Sequence, residues 1–476
     1  MPVPVPTTAA AELVLSRATY GATPQLRAEI QQLGIPGWLA QQLAPASIPD
    51  PEGDAVFAMY PSLSRSMASL QAEFDSGNSS GLDPSLDLQA AHLGRAIWSR
   101  RQLFEVMVDF WSNHLNVPAQ VDDRATRADY DRIVVRTHAL GRFEDLLVAS
   151  ANHPAMLGYL DLANSTGTNP NENYARELLE LHTLGVNGGY TEADIKQAAK
   201  LLSGWRLDYK TKAVAFDPNR HYLGAVQVVG FTHPNNVASQ GPTAARELYE
   251  YLAFHPSTAK HLATKLARRF VGDNPPAALV ANLASVYLAN DTEIVPVLRA
   301  LFGSAEFAAS ARSKQRRPME HLVAAARALG LQRGSDPKAL RELNYELSAA
   351  GHMPMAYPTP DGYPDEAVKW QSPGQALSQY GAAMNLLHGW YPKGFTYQPV
   401  SALLSNPTTA TTPAAVGEQL CARFFGRPPA ANEATAIATA LSGAQPTKPY
   451  KPGDGQNVAV SVVAQLLMHS AAFLTR

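Results

Sequence analysis

Apolar residues recur three and four positions apart along most of this chain, and Pro or Gly interrupts nearly every such run. Helical periodicity cut into short lengths predicts many short helices packed on one another. The segment 9–43 reads as two or three of them. The Pro-, Ser- and Gly-rich stretch from Pro45 to about Pro84 reads as a long irregular excursion holding one helix. From Leu86 to Trp205 the helical signal returns. Leu103, Met107, Phe110 and Trp111 form an apolar stripe there, with Glu105, Asp109 and Asn113 on another side.

Further helices are expected over Tyr130–Leu140, Phe143–Asn152, Pro154–Leu162, Pro170–Leu184 and Glu192–Ser203. The fourth has Asn169 as its N-cap, Pro170 at its first position and Gly185 beyond its end. The fifth has Thr191 and Asp194 as a capping pair. A small hairpin is expected around Val214–Phe231, where β-branched and aromatic residues sit beside turn residues. Helices resume from Thr243 to Leu329. Gly351–Ser372 is too rich in Pro and Gly for regular structure, yet its Met353, Met355, Tyr357, Tyr363 and Trp370 favour a loop packed over the body. Pro392–Pro413 reads as a linker, followed by two or three helices. The expected fold is therefore mainly α: a large irregular helical bundle with a small β-hairpin and long Pro/Gly-rich loops. Three regions divide it: 1–90 (N-terminal helices and excursion), 91–391 (helical core) and 392–476 (linker and C-terminal helices).

Composition excludes several classes. Of the 476 residues 46% are hydrophobic and 17% charged, which excludes disorder for most of the chain. A net charge of -2 gives no general reason to bind nucleic acid. No apolar run approaches the roughly 20 residues that span a bilayer. The one cysteine, Cys421, offers neither a disulfide nor a Cys-based metal site and reads as a small buried residue. No signal peptide is visible, which leaves the compartment open. GxSxG, Walker and GxGxxG motifs are missing, and with them the usual warrants for serine-hydrolase, P-loop and Rossmann chemistry.

The densest polar cluster is NPNENYARELLELHTLGVNGGY, Asn169–Tyr190. On an α-helix Asn173, Glu177, Glu180 and Leu184 share one face, so two carboxylates stand side by side. If both are buried, their repulsion raises one pKa, as a general acid requires. The alternative is an exposed salt ladder of Glu172, Arg176 and Glu180. His182 lies near the apolar side and reads as a core histidine. His114, just past its helix between Asn113 and Asn116, reads as semi-exposed and is a candidate catalytic group. A divalent metal held by His114, Glu180 and His182 is the competing arrangement, although HExxH and HxH patterns are missing. In PTPDGYPD, Pro358–Asp365, Asp361 and Tyr363 stand on a Pro-fixed turn near Trp370, which suits either a sugar or peptide platform or a packed structural loop.

Several segments together resemble the bacterial family catalogued as domain of unknown function 1800. They are RATYGAT (Arg17–Thr23), FWSNHLNV (Phe110–Val117), HPAMLGYLD (His153–Asp161), PNENYARELLELHTLGVNGGYT (Pro170–Thr191), LLSGW (Leu201–Trp205), HPSTAKHLATKLARRFV (His255–Val271), RRPMEHLVAAARALG (Arg316–Gly330) and PTPDGYPD. The resemblance implies a mostly helical protein, exported to the periplasm or beyond, with a sulfatase-like family as a possible partner protein. It carries no catalytic assignment. Where members often have an Asp-Gly-Lys type segment before LGA, this chain reads DPNRHYLGA, so any role of that loop is in doubt here.

The leading expectation is a hydrolase acting on an extracytoplasmic polymer such as a glycan, with Glu177, Glu180 and His114 as catalytic groups. Asn173 and Arg176 would orient them, and Asn116, Tyr363 and Trp370 would help to bind substrate. Paired glycosidase carboxylates flank the scissile bond, so the second acid is expected elsewhere, at Asp161 or Asp361. The alternatives are a metal-dependent oxidoreductase or hydrolase, and a non-catalytic binding or assembly protein in which the Asn/Glu helix braces the PTPDGYPD loop.

Overall fold

A computed structural model describes residues 7–77, 83–119, 124–442 and 454–476. The chain is mainly α-helical, with two small antiparallel sheets among the described residues. No described helix is long and apolar enough to cross a membrane.

The helices begin where short polar side chains can receive their free N–H groups. Thr8 caps Ala9–Ala18, and Thr23 followed by Pro24 opens Pro24–Gln42, which kinks at Gly34 (φ 67°). The stretch after Pro45 is more ordered than expected. It holds two helices, Pro51–Ala58 and Met67–Asp75, because Asp50 and Ser66 cap them and Pro51 occupies a first-turn position where no N–H is needed. The end of that excursion, residues 78–82, lies outside the described residues.

The helix Pro84–Trp98 is buried on nearly every side, and Gln102–His114, Pro51–Ala58, Pro318–Leu329 and Lys338–Ala349 surround it. His153 and His255 cap the helices that follow them, each Nδ1 accepting a backbone N–H two residues on, from Ala155 and Ser257. The Thr191–Asp194 capping box opens Glu192–Leu201 as expected.

Two local expectations need correction. The helix expected from Pro170 starts at Glu172, capped by Asn171, whose side chain accepts from the Asn173 N–H at 2.9 Å. Asn169 belongs to the preceding turn, bonded to Thr166. The helix also widens into a π turn over Leu178–His182. Alpha-helical spacing therefore does not carry Glu180 and Leu184 onto the stripe of Asn173 and Glu177. The single hairpin is in fact two ribbons. Trp205–Leu207 pairs with Val214–Phe216, and Val226–Val228 pairs with Phe231–His233. The Asp217-capped turn Pro218–Arg220 ends the first before the second can join it.

The Gly351–Ser372 loop is packed down, with Met353, Met355 and Trp370 buried. Beyond it, Val400–Leu403 forms a 3-10 turn whose Leu403 is buried, and it packs on the helix Asp454–Met468. Pro413–Phe425, Ala431–Ser442 and Asp454–Met468 are the main C-terminal helices. One continuous apolar core runs from Ala11 to Phe473. Cys421 lies inside it, where burial raises its thiol to about 12.

Candidate functional site

The helix Gln102–His114 carries its apolar stripe so far into the core that its last residue is also enclosed. His114 is 1% exposed, not semi-exposed as its polar neighbours suggested. Trp111 and Phe143 pack around its ring at 5.5 and 5.9 Å between centroids. Its Nε2 lies 3.0 Å from the carbonyl of His182 and must be the N–H, so Nδ1 presents a lone pair. Lys265 donates to that lone pair at 3.0 Å. Burial, then Lys265 and His261, hold the ring neutral, well below the usual histidine range.

The asparagines flanking His114 hold the PTPDGYPD loop. Asn113 Oδ1 accepts from the Tyr363 N–H at 3.1 Å, while Asn116 Nδ2 donates to the carbonyls of Tyr357 (3.0 Å) and Thr359 (2.7 Å). Gly362 lies so close (φ 71°) that a Cβ would stand 2.2 Å from the carbonyl oxygen of Asn113. Asn116, 1% exposed, is thus a staple and not a substrate-binding group. Trp370 is likewise buried, its indole N–H donating to Pro364 O at 3.0 Å, so it braces the loop from within. Tyr159 ties the outer side through Pro358 O at 2.9 Å.

Facing the loop is the helix Pro256–Phe270. Its His261, Lys265 and Arg269 follow one another at four-residue spacing along an amphipathic helix. His261 donates to Leu181 O at 3.2 Å, and burial followed by Lys265 lowers its ring to about 4. Lys265 is half-buried. Burial and then Arg268 bring its ammonium down to about 8, against the opposing pull of Asp365, Asp361 and Glu366. Among the described residues no carboxylate lies within ion-pair distance of it.

Beneath runs a buried ionic network. Arg317 binds Asp109 at 2.6 Å and Glu320 at 3.2 Å, Arg269 also binds Glu320, and Arg476 reaches Glu320 at 3.1 Å. Burial alone would raise Asp109 and Glu320. The guanidinium groups around them, Arg317 foremost at Asp109 and Arg269 at Glu320, instead hold both far below the carboxylate range. Lys314 joins Asp365 (3.2 Å) to Asp273 (2.7 Å) at the edge. Between loop, helix and network opens a cleft of about 340 Å³, lined among others by His114, Lys265, Arg317, Asp361 and Tyr363.

The helix read as the source of catalysis stands to one side. Neither Glu177 nor Glu180 lines the cleft. Glu177 is half-buried, and burial, then Glu180 and, more weakly, Asp361 raise its carboxyl despite Arg176. Glu180 acts on Tyr190, whose hydroxyl is raised to about 12 by burial and by that carboxylate. Asn173 is exposed. Arg176 forms a bidentate pair with Glu192, both bonds 2.7 Å, and approaches Glu172 at 3.7 Å. It is an exposed ladder, not a catalytic clamp. Asp161 is also exposed, at a left-handed residue (φ 59°) away from the cleft. His182 is enclosed in the core, burial lowering its ring to about 3. His114, Glu180 and His182 do not form the metal site considered from the sequence. Both ring nitrogens of His114 are committed, and no group of three or more potential ligands is arranged for a metal among the described residues.

Lys265, His261, Arg269, Arg317 and Asp109 were not singled out as site residues from the sequence. The signal that marks them is a four-residue recurrence of polar side chains along a helix, as in Glu105, Asp109 and Asn113, which HPSTAKHLATKLARRFV repeats with His261, Lys265 and Arg269.

A family model described as "Protein of unknown function (DUF1800)" matches residues 13–475. No curated protein and no solved structure matches the chain.

Proposed function

The chain belongs to the DUF1800 family, and because that family's description assigns no activity, we propose one from the carboxylates beside the cleft: a hydrolase that cleaves a polymer, a glycan outside the cytoplasm, by acid–base chemistry between carboxylates. Glu177 is the proton donor in this reading and Asp361 its partner. The observation that carries it is the perturbed Glu177 carboxyl. Burial and its two acidic neighbours favour its neutral form, the condition a general acid needs. Glycosidases hold their carboxyls on opposite sides of the scissile bond. Glu177 on its helix and Asp361 on the loop meet that demand better than two glutamates on one helix. Tyr363 and Tyr159 offer aromatic surface beside the pair. The extracytoplasmic setting rests on the family's resemblance to exported proteins.

The second reading, a binding or assembly protein, is favoured by the stapling of the loop through Asn113, Asn116 and Tyr159, which makes a rigid recognition surface. Release of reducing ends from neutral and acidic polysaccharides separates the two. The hydrolase reading expects turnover that falls by about 10²–10⁴-fold in Glu177→Gln and Asp361→Asn at unchanged melting temperature. Undiminished turnover in Glu177→Gln overturns it, and failure of the wild type on every polymer supports the binding reading.

A further inference from the structure

Acid–base chemistry at the rim leaves the floor of the cleft unexplained. The carboxylates that face it are already matched: Asp109 by Arg317, Glu366 by Arg268 at 2.9 Å, and Asp365 by Lys314. Asp361, on the exposed rim, accepts from Thr359 Oγ1 at 2.5 Å. Among the described residues two cations of the lining have no carboxylate within ion-pair distance: the exposed Lys369 and the half-buried Lys265, whose partner His114 is neutral.

Two guanidinium groups are also incomplete. Arg269, 1% exposed, gives Nη1 to Glu320, but its Nε and Nη2 find no hydrogen-bond acceptor among the described residues. Its Nη2 approaches Asp109 only to 4.0 Å. Arg317, 3% exposed, is spent on Asp109 and Glu320 through Nη2, while its Nε lacks an acceptor and stands 4.0 Å from Asp365. Buried N–H groups without acceptors are costly and uncommon. A guanidinium fork is the side chain best shaped for a carboxylate, sulfate or phosphate. Arg269 and Arg317, with unsatisfied N–H groups, line the same cleft as Lys265, a cation without a carboxylate partner, and together they make a site that an acceptor from outside would complete.

We infer that the floor of the cleft is an oxyanion subsite, in which Lys265, Arg269 and Arg317 receive an anionic group carried by the substrate. The inference deepens the hydrolase reading by giving its polymer a class, an acidic one, and rests on that reading for the word polymer alone.

Calorimetric titration of the full chain with inorganic phosphate, sulfate and acetate at constant ionic strength tests it. A single saturable site is expected, weakened about tenfold or more by Lys265→Met and retained in Lys265→Arg. Raising the pH from about 7 to about 10 weakens the wild type in the same way, since the Lys265 ammonium is lost near 8. That series decides the matter if Lys265→Met does not fold. Stronger binding of acetate assigns a carboxylated polymer, and stronger binding of sulfate or phosphate an esterified one. No saturable binding of any of the three, or equal binding by Lys265→Met, overturns the subsite. Oxyanion binding without polymer turnover overturns the hydrolase reading alone, and turnover without oxyanion binding overturns the subsite alone.

Discussion

The side-chain amide of Asn116 lies 2.7 Å from the carbonyl oxygen of Thr359, across 243 residues of sequence. One buried donor group thereby fixes the loop that forms a wall of the cleft. Asn116→Ala should lower unfolding free energy by about 1–3 kcal/mol, since two loop carbonyls lose their partner. Asn116→Asp, of the same shape, should do worse, because it sets a carboxylate against two carbonyl oxygens. Urea denaturation checks the order, and equal stability of Asn116→Asp and wild type would contradict it.

Gly362→Ala tests the same wall from the other side. The added methyl meets the Asn113 carbonyl, and the positive φ disfavours any side chain. A loss of about 1–3 kcal/mol is expected, together with weaker oxyanion binding as the wall shifts. Wild-type affinity in a destabilised Gly362→Ala protein would show that the loop does not shape the subsite.

Asp109→Asn should be among the most damaging conservative changes. It leaves Arg317 without its closest carboxylate inside the protein, a loss on the order of 3–5 kcal/mol. The folded carboxyl is held far below its ordinary value of 3.8. Its contribution is therefore present above the ordinary carboxylate range and is lost as pH falls below it. Denaturation at about pH 7 and about pH 3 should show the deficit of the variant shrinking in acid. A deficit independent of pH would contradict the ionised assignment.

Arg176→Ala removes the solvent-facing pairs with Glu192 and Glu172. Exposed pairs of this kind contribute little, so stability and turnover should match the wild type. A fall in turnover at unchanged stability would restore Arg176 to the catalytic role that its place in the sequence cluster suggested.

Local structure was legible in the sequence because it is written in neighbouring residues. The Thr191–Asp194 box is a short-range signal and caps its helix as read, and the His-Pro pairs at 153 and 255, equally local, cap theirs. Position within the cluster Asn169–Tyr190 was less legible. The π turn at Leu178–His182 is not encoded in α-helical periodicity, and it displaced the expected carboxylate stripe. The cleft was hidden for a different reason. Asp109 meets Arg317 across 208 residues, and Lys265 meets His114 across 151. No periodicity within a helix records such meetings. His114 was found because it stands in a conspicuous polar segment. Lys265 was passed over because one lysine on an amphipathic helix looks like ordinary surface charge.

The most direct test of the account is the titration of Lys265 itself. Competitive acetylation of the native protein across about pH 6 to 11, read for each lysine by mass spectrometry, reports where each amine becomes nucleophilic. Burial beside Arg268, with no carboxylate within ion-pair distance of the ammonium among the described residues, predicts half-titration of Lys265 near 8. Half-titration at the ordinary lysine value of 10.5 would place that amine in water and contradict both the cleft electrostatics and the subsite built on them.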